Sequence, residues 1–190
     1  MFERRLLEGL IFLVLFIGCI PAANWLILNV GTICPPNAPC LIPVAPALTG
    51  SVLMAPSGVL MIGLALVLRD LVQRRLGLGW AVGAILSGAA LSALFTPAAL
   101  VTASATAFLL SECADLAVYT PLQRRRLVLA VVASSLVGLV VDSCVFLYLA
   151  FGNLDYLAGQ VVGKTWMVLL AVPLIAWLRH RDQRLGIDAA

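Results

Sequence analysis

Apolar residues run along the chain in six long stretches, at about 8–28, 48–69, 79–96, 99–119, 127–150 and 159–178, separated by short joints that hold most of the arginines. Each is close to the roughly 20 residues that an α-helix needs to cross a bilayer. A continuous run such as Leu127 to Ala150 lacks the period of two that the strands of a membrane barrel would show. The pattern therefore predicts an all-α integral membrane protein, a six-transmembrane-helix bundle forming a single membrane domain over residues 1–190.

The charges in the joints orient that bundle. If the six stretches alternate in direction, Arg4 and Arg5, then Arg69, Arg74 and Arg75, then Arg124 to Arg126, then Arg179, Arg181 and Arg184 fall on one side. The joints on the other side contain no Lys or Arg. Because cytoplasmic loops accumulate these residues, both termini are expected in the cytoplasm, which also requires an even number of spans. Cys34 and Cys40 then lie outside, flanking Cys34-Pro-Pro-Asn-Ala-Pro-Cys40 in a first loop with seven prolines between Pro21 and Pro56. In an oxidising compartment the two could form a disulfide, with two separate thiols as the alternative. A zinc pair would need further ligands, and none lies close in sequence. Cys19, Cys113 and Cys144 sit inside apolar runs and read as small hydrophobes.

Composition narrows the class further. Hydrophobic residues make up 63% of the 190 and charged residues 11%, with a mean hydropathy of +1.10; soluble domains are roughly half apolar and a quarter charged. The net charge of +3 would suit a nucleic-acid partner only on a soluble basic face, so no nucleic acid is expected and the lipid bilayer is the obligatory partner.

Charged residues inside the apolar stretches carry the candidate chemistry, since each would cost roughly 2.5–3.5 kcal/mol facing lipid. Glu112 and Asp115 lie in the fourth stretch, Asp142 in the fifth and Lys164 in the sixth, with Arg69 and Asp70 at the end of the second in a structural or gating position. Glu112, Asp115 and Tyr119 are spaced i, i+3 and i+7, which puts two carboxyls and a phenol on one helix face. That stripe suits ligand binding or proton carriage, or else ion pairing with neighbouring arginines. Ser135, Gly138, Asp142 and Phe146 form a second stripe of small and polar residues, expected to face the interior. Counting along antiparallel helices places Asp142 and Lys164 at comparable depth, where they could pair.

Two decoys are set aside. Ala158-Gly159-Gln160-Val161-Val162-Gly163-Lys164-Thr165 approaches a phosphate-binding loop, but Ala158 stands where the first glycine belongs. Gly159 and Gly163 read better as a close-packing surface. The single histidine, His180, sits among arginines, and no catalytic set, metal motif or dinucleotide loop can be assembled. The expectation is a non-enzyme without cofactor.

Several segments together resemble a known family. They are Ala22-Ala23-Asn24-Trp25-Leu26, Leu68-Arg69-Asp70 through Leu76-Gly77, Ser111-Glu112-Cys113-Ala114-Asp115 through Tyr119, Ala133-Ser134-Ser135, Val141-Asp142-Ser143-Cys144-Val145-Phe146, Gly163-Lys164 and Pro173. In order and spacing they are similar to the vitamin-uptake (VUT) transporters whose best-defined members carry queuosine precursors. The resemblance implies a fold similar to the substrate-binding components of energy-coupling-factor transporters and uptake of the 7-deazaguanines preQ0 and preQ1 across a bacterial inner membrane. A homo-oligomer or a separate energising module is a possible partner. The chemistry fits a flat base with N–H donors: Glu112, Asp115 and Asp142 supply acceptors, and Tyr119, Phe146 and Trp166 supply stacking surfaces. Asn24 can both donate and accept, and Ser135 and Lys164 complete the expected substrate-binding set. A scaffold whose polar residues only lock helices together is the competing expectation.

Overall fold

The computed structural model describes residues 2–36, 39–46, 52–95 and 100–186. Six helices form the body: α1 (Phe2–Asn29), α2 (Val59–Leu76), α3 (Leu78–Phe95), α4 (Val101–Leu122), α5 (Leu127–Phe151) and α6 (Leu157–Leu185). Between α1 and α2 lies an antiparallel hairpin, β1 (Leu41–Pro46) and β2 (Val52–Pro56). By length and composition α1, α4, α5 and α6 can each cross a membrane, whereas α3 is apolar but shorter and α2 carries Arg69, Asp70, Arg74 and Arg75. The outer surface is apolar, with Leu7, Val14, Leu86, Leu94, Tyr148 and Leu170 exposed. Polar groups such as Gln73, Ser134 and Gln160 are turned inward. This inside-out distribution is that of a membrane protein.

The helical body agrees with the all-α expectation, to which the hairpin is an addition; it corrects the second stretch, which was expected to be one helix over 48–69. Residues 48–51 lie outside the described residues, but Val52–Pro56 is a strand and the helix runs 59–76. Apolar continuity hid the boundary. Pro43, Pro46 and Pro56 lack the N–H a helix would use, while Ile42, Val44 and Val52 favour extended backbone. The register pairs Leu41 with Pro56 and Pro46 with Val52, with an irregularity between Pro43 and Ala45. Val44 at that irregularity accepts a hydrogen bond at 3.2 Å from the Trp166 indole N–H on α6. The Cys34 and Cys40 sulfurs are bonded. Cys40 is also tied into the hairpin base, its N–H donating to Ile27 and its carbonyl accepting from Ser57 N–H.

The helix runs past Arg69 to Leu76 because its charges find partners inside the protein. Arg69 is fully buried, which corrects its placement in a cytoplasmic joint. Gly77, at φ 94°, makes the break before α3, a conformation most side chains resist. Arg74 and Arg75 meet the beginning of α1 and the end of α6. Asp182 receives both guanidinium groups at 2.8 Å, and Glu8 pairs with Arg75 at 2.9 Å and Arg181 at 2.6 Å. One end of the bundle is thus basic; the disulfide loop and hairpin lie at the other.

Close approaches at four glycines set the packing. At Gly63 a Cβ would lie 2.7 Å from the Lys164 carbonyl oxygen, so α2 and α6 touch there backbone to backbone. At Gly138 it would lie 3.1 Å from Asp115 Cβ, pressing α5 on α4. At Gly159 it would lie 2.0 Å from the Met54 carbonyl oxygen, and at Gly163 2.8 Å from Val59 and 3.1 Å from Val44. The Gly159 and Gly163 surface therefore receives the hairpin and the start of α2.

Candidate functional site

Besides the Arg74–Arg75–Asp182 cluster at the basic end, charge is buried in two places. In the first, Arg69 of α2 reaches toward α4. Its Nε donates to Glu112 at 2.9 Å, one terminal nitrogen donates to Asp115, and the other lies 3.0 Å from Asp70 and donates to Gln73 at 3.2 Å. The Tyr119 ring packs 5.8 Å from the guanidinium carbon. Ser134 of α5 donates to Asp70 at 2.9 Å, and Gln73 donates to Thr120 at 3.1 Å. Arg69, Asp70, Asp115 and Tyr119 are 0% exposed. The i, i+3, i+7 face of α4 is what brings Glu112, Asp115 and Tyr119 to one guanidinium.

In the second, Lys164 of α6 donates to Asp142 at 2.5 Å, to Ser143 at 2.8 Å and to Gln160 at 2.8 Å. All three donors of the ammonium are used, which is what a buried lysine requires to remain charged. Gln160 lies one turn before Lys164, and Ser143 follows Asp142, so α5 and α6 each present two polar groups. Asp142, unlike the carboxyls around Arg69, keeps 13% of its side chain exposed.

That exposure opens onto a cavity at the hairpin end with about 710 Å³ of empty space, its open mouth included. Asn24, Asp142, Gln160 and Lys164 supply polar wall, Phe108 and Phe146 supply aromatic surface, and Ser92 and Ser104 bring hydroxyls from α3 and α4. Pro56 and Gly58 close one side where the hairpin enters α2. A mostly apolar wall with a few converging polar groups is the usual composition of a small-molecule site.

Four residues of the expected substrate-binding set, Asn24, Asp142, Phe146 and Lys164, meet at this cavity. The other five do not line it. Glu112 and Asp115 are engaged with Arg69, and Tyr119 is packed in the core beside it. Ser135 is buried on α5 with no partner for its hydroxyl among the described residues. Trp166 is 50% exposed on the outer face, its indole N–H held by Val44. Of the three aromatic residues expected to stack, Phe146 alone lines the cavity, and Phe108, which sequence reasoning missed, lines it too. Gln160 was missed too: it stood inside the discounted phosphate-loop run, and its i, i+4 spacing to Lys164 was the available signal. Among the described residues no group of three or more metal-binding side chains occurs.

No curated protein and no solved structure matches the chain. The family model described as "Putative vitamin uptake transporter" matches residues 89–178, the part that carries Glu112, Asp115, Asp142, Gln160 and Lys164.

Proposed function

We propose that this protein is a secondary transporter, and not an enzyme, that imports a queuosine precursor of the 7-deazaguanine class, preQ0 or preQ1, across a bacterial inner membrane. The observation that carries the reading is the cavity at the hairpin end, where Asn24, Gln160 and the Asp142–Lys164 pair converge beside Phe108 and Phe146. The family match over residues 89–178 supports uptake of a vitamin-like solute.

A deazaguanine presents ring and exocyclic N–H donors on one edge and a carbonyl acceptor beside them. A carboxylate and side-chain amides can read the donors, an ammonium or amide N–H can read the carbonyl, and the flat ring can lie on an aromatic face. The arginine-free end holds the cavity, so the charge rule turns its mouth outward and sets both termini, with six spans, on the cytoplasmic side. A solute entering there would meet Asp142 and Lys164 first. Their separation, followed by closure of the mouth and opening at the basic end, gives the alternation a carrier needs.

The test is queuosine content in tRNA from a bacterial strain blocked in precursor synthesis and lacking its own importer, fed low preQ0 or preQ1 with and without this protein. Restored queuosine is the expected result, and the two feeds rank the bases. No restoration despite confirmed membrane expression would overturn the deazaguanine reading; restoration only beside a separate ATP-driven module would replace the carrier with a binding component.

A further inference from the structure

The buried group around Arg69 contains more acid than base. Asp70, Glu112 and Asp115 all contact this one guanidinium, and none of the four side chains is more than 2% exposed. The nearest other cations are committed elsewhere: Arg74 to Asp182 and Lys164 to Asp142. If every group were ionised, two uncompensated negative charges would sit in an interior that water does not reach.

The hydrogen bonds say where that excess is relieved. Arg69 serves Glu112, Asp115 and Gln73, and Ser134 serves one oxygen of Asp70. Left over are Asp70 Oδ1, which has only its ionic contact with Arg69 at 3.0 Å, and Asp115 Oδ2, both buried and without a hydrogen-bond donor. Asp70 and Asp115 lie on the two terminal nitrogens of the one guanidinium. A proton on either carboxyl would supply the missing donor and remove one of the two uncompensated charges. A separate group points to the same place: the Tyr119 hydroxyl is completely buried and has no partner among the described residues, while its ring lies against the guanidinium.

We infer that Asp70 and Asp115 hold one proton between them and form the proton-binding site through which solute import is coupled to proton movement. The coupling part of this inference rests on the importer reading; the proton part does not.

The elements packed around the pair supply its surroundings in full view. Arg69 and Gln73 come from α2, Glu112 and Tyr119 from α4, and Ser134 from α5. On its far side α2 meets apolar Val168, Ala171 and Ile175 of α6. The line to the cavity runs through α4 and α5. Asp115 sits against Gly138, one turn from Asp142 on the same stripe. A solute that takes Asp142 from Lys164 therefore acts one turn of α5 away from the Asp115 carboxyl, and that is the route by which it reaches the shared proton.

The experiment is infrared spectroscopy of the purified full-length protein in lipid vesicles, following the carbonyl stretch of protonated carboxyl groups at neutral pH. Asp70→Asn and Asp115→Asn are compared with Glu112→Gln, because an amide at either aspartate imitates the protonated acid and keeps a donor for its partner. The protonated-carboxyl band should be present in the unaltered protein, disappear in both aspartate variants and persist in Glu112→Gln. Absence of the band, or its survival in both aspartate variants, would overturn the shared proton. In the same vesicles an inward proton gradient should raise preQ1 accumulation several-fold; accumulation indifferent to the gradient would overturn the coupling. No preQ1 accumulation at all, with the band intact, would refute the importer reading and the coupling together and leave the proton pair standing.

Discussion

Around Arg69 one guanidinium meets three carboxyl groups with every side chain enclosed, whereas at Lys164 one ammonium meets one carboxylate on the wall of a cavity. Both are charges that lipid would reject, and sequence alone gives them the same weight. The difference lies in what can reach them. The Asp70 and Asp115 side chains are 0% exposed, so the shared proton inferred there needs no room for a solute, while in the proposed reading the partly exposed Asp142 exchanges its lysine for one. An intramembrane charge is therefore best judged by the ratio of acid to base around it and by its access to a cavity, rather than by its depth.

The sharpest way to break this comparison is Arg69→Leu, which strands three acids in the interior. Removing one partner of a buried ion pair costs about 3–5 kcal/mol, so the variant should lose most of its membrane abundance, with a Tm in detergent well below that of the parent. A near-normal Tm would mean that the acids are neutral without the arginine. Next is Lys164→Met. Its unpaired Asp142 can take water from the cavity, so the loss should be smaller, about 1–3 kcal/mol, while precursor uptake disappears. Equal instability in the two variants would erase the distinction drawn here. Gln160→Leu removes one acceptor from the lysine and one polar group from the wall; about 1 kcal/mol of stability should go, together with a several-fold fall in uptake at low substrate. Smallest is Trp166→Phe, which loses a single hydrogen bond to Val44, worth roughly 0.5–1.5 kcal/mol, and should leave uptake unchanged. A large uptake defect there would return Trp166 to the solute path.

Much of this arrangement was legible from spacing. The i, i+3, i+7 set in α4 converges on one point, and equal depth along α5 and α6 brings Asp142 to Lys164. Ion pairing of the α4 set with an arginine was one of the expectations, but the depth of that arginine was hidden by a rule that is right on average: arginine near the end of an apolar run reads as a loop marker, and Arg69 is instead the centre of the interior. The hairpin was hidden for a related reason. From Leu41 to Arg69 the chain is almost uniformly apolar, so hydropathy cannot separate a proline-interrupted strand pair from the start of a helix. The cavity could not be read at all, because its wall is assembled from six helices and the end of β2, and which residues meet there depends on packing that no local pattern encodes.

The contact at Gly159 bears on how such a protein could move. With no side chain between them, α6 and β2 meet backbone to backbone at Met54, and Trp166 clasps β1 two turns further along the same helix. Lys164 lies between these two fastenings. The hairpin and the lysine thus ride on one lever: a tilt of α6 that draws the ammonium away from Asp142 also carries the rim of the mouth with it.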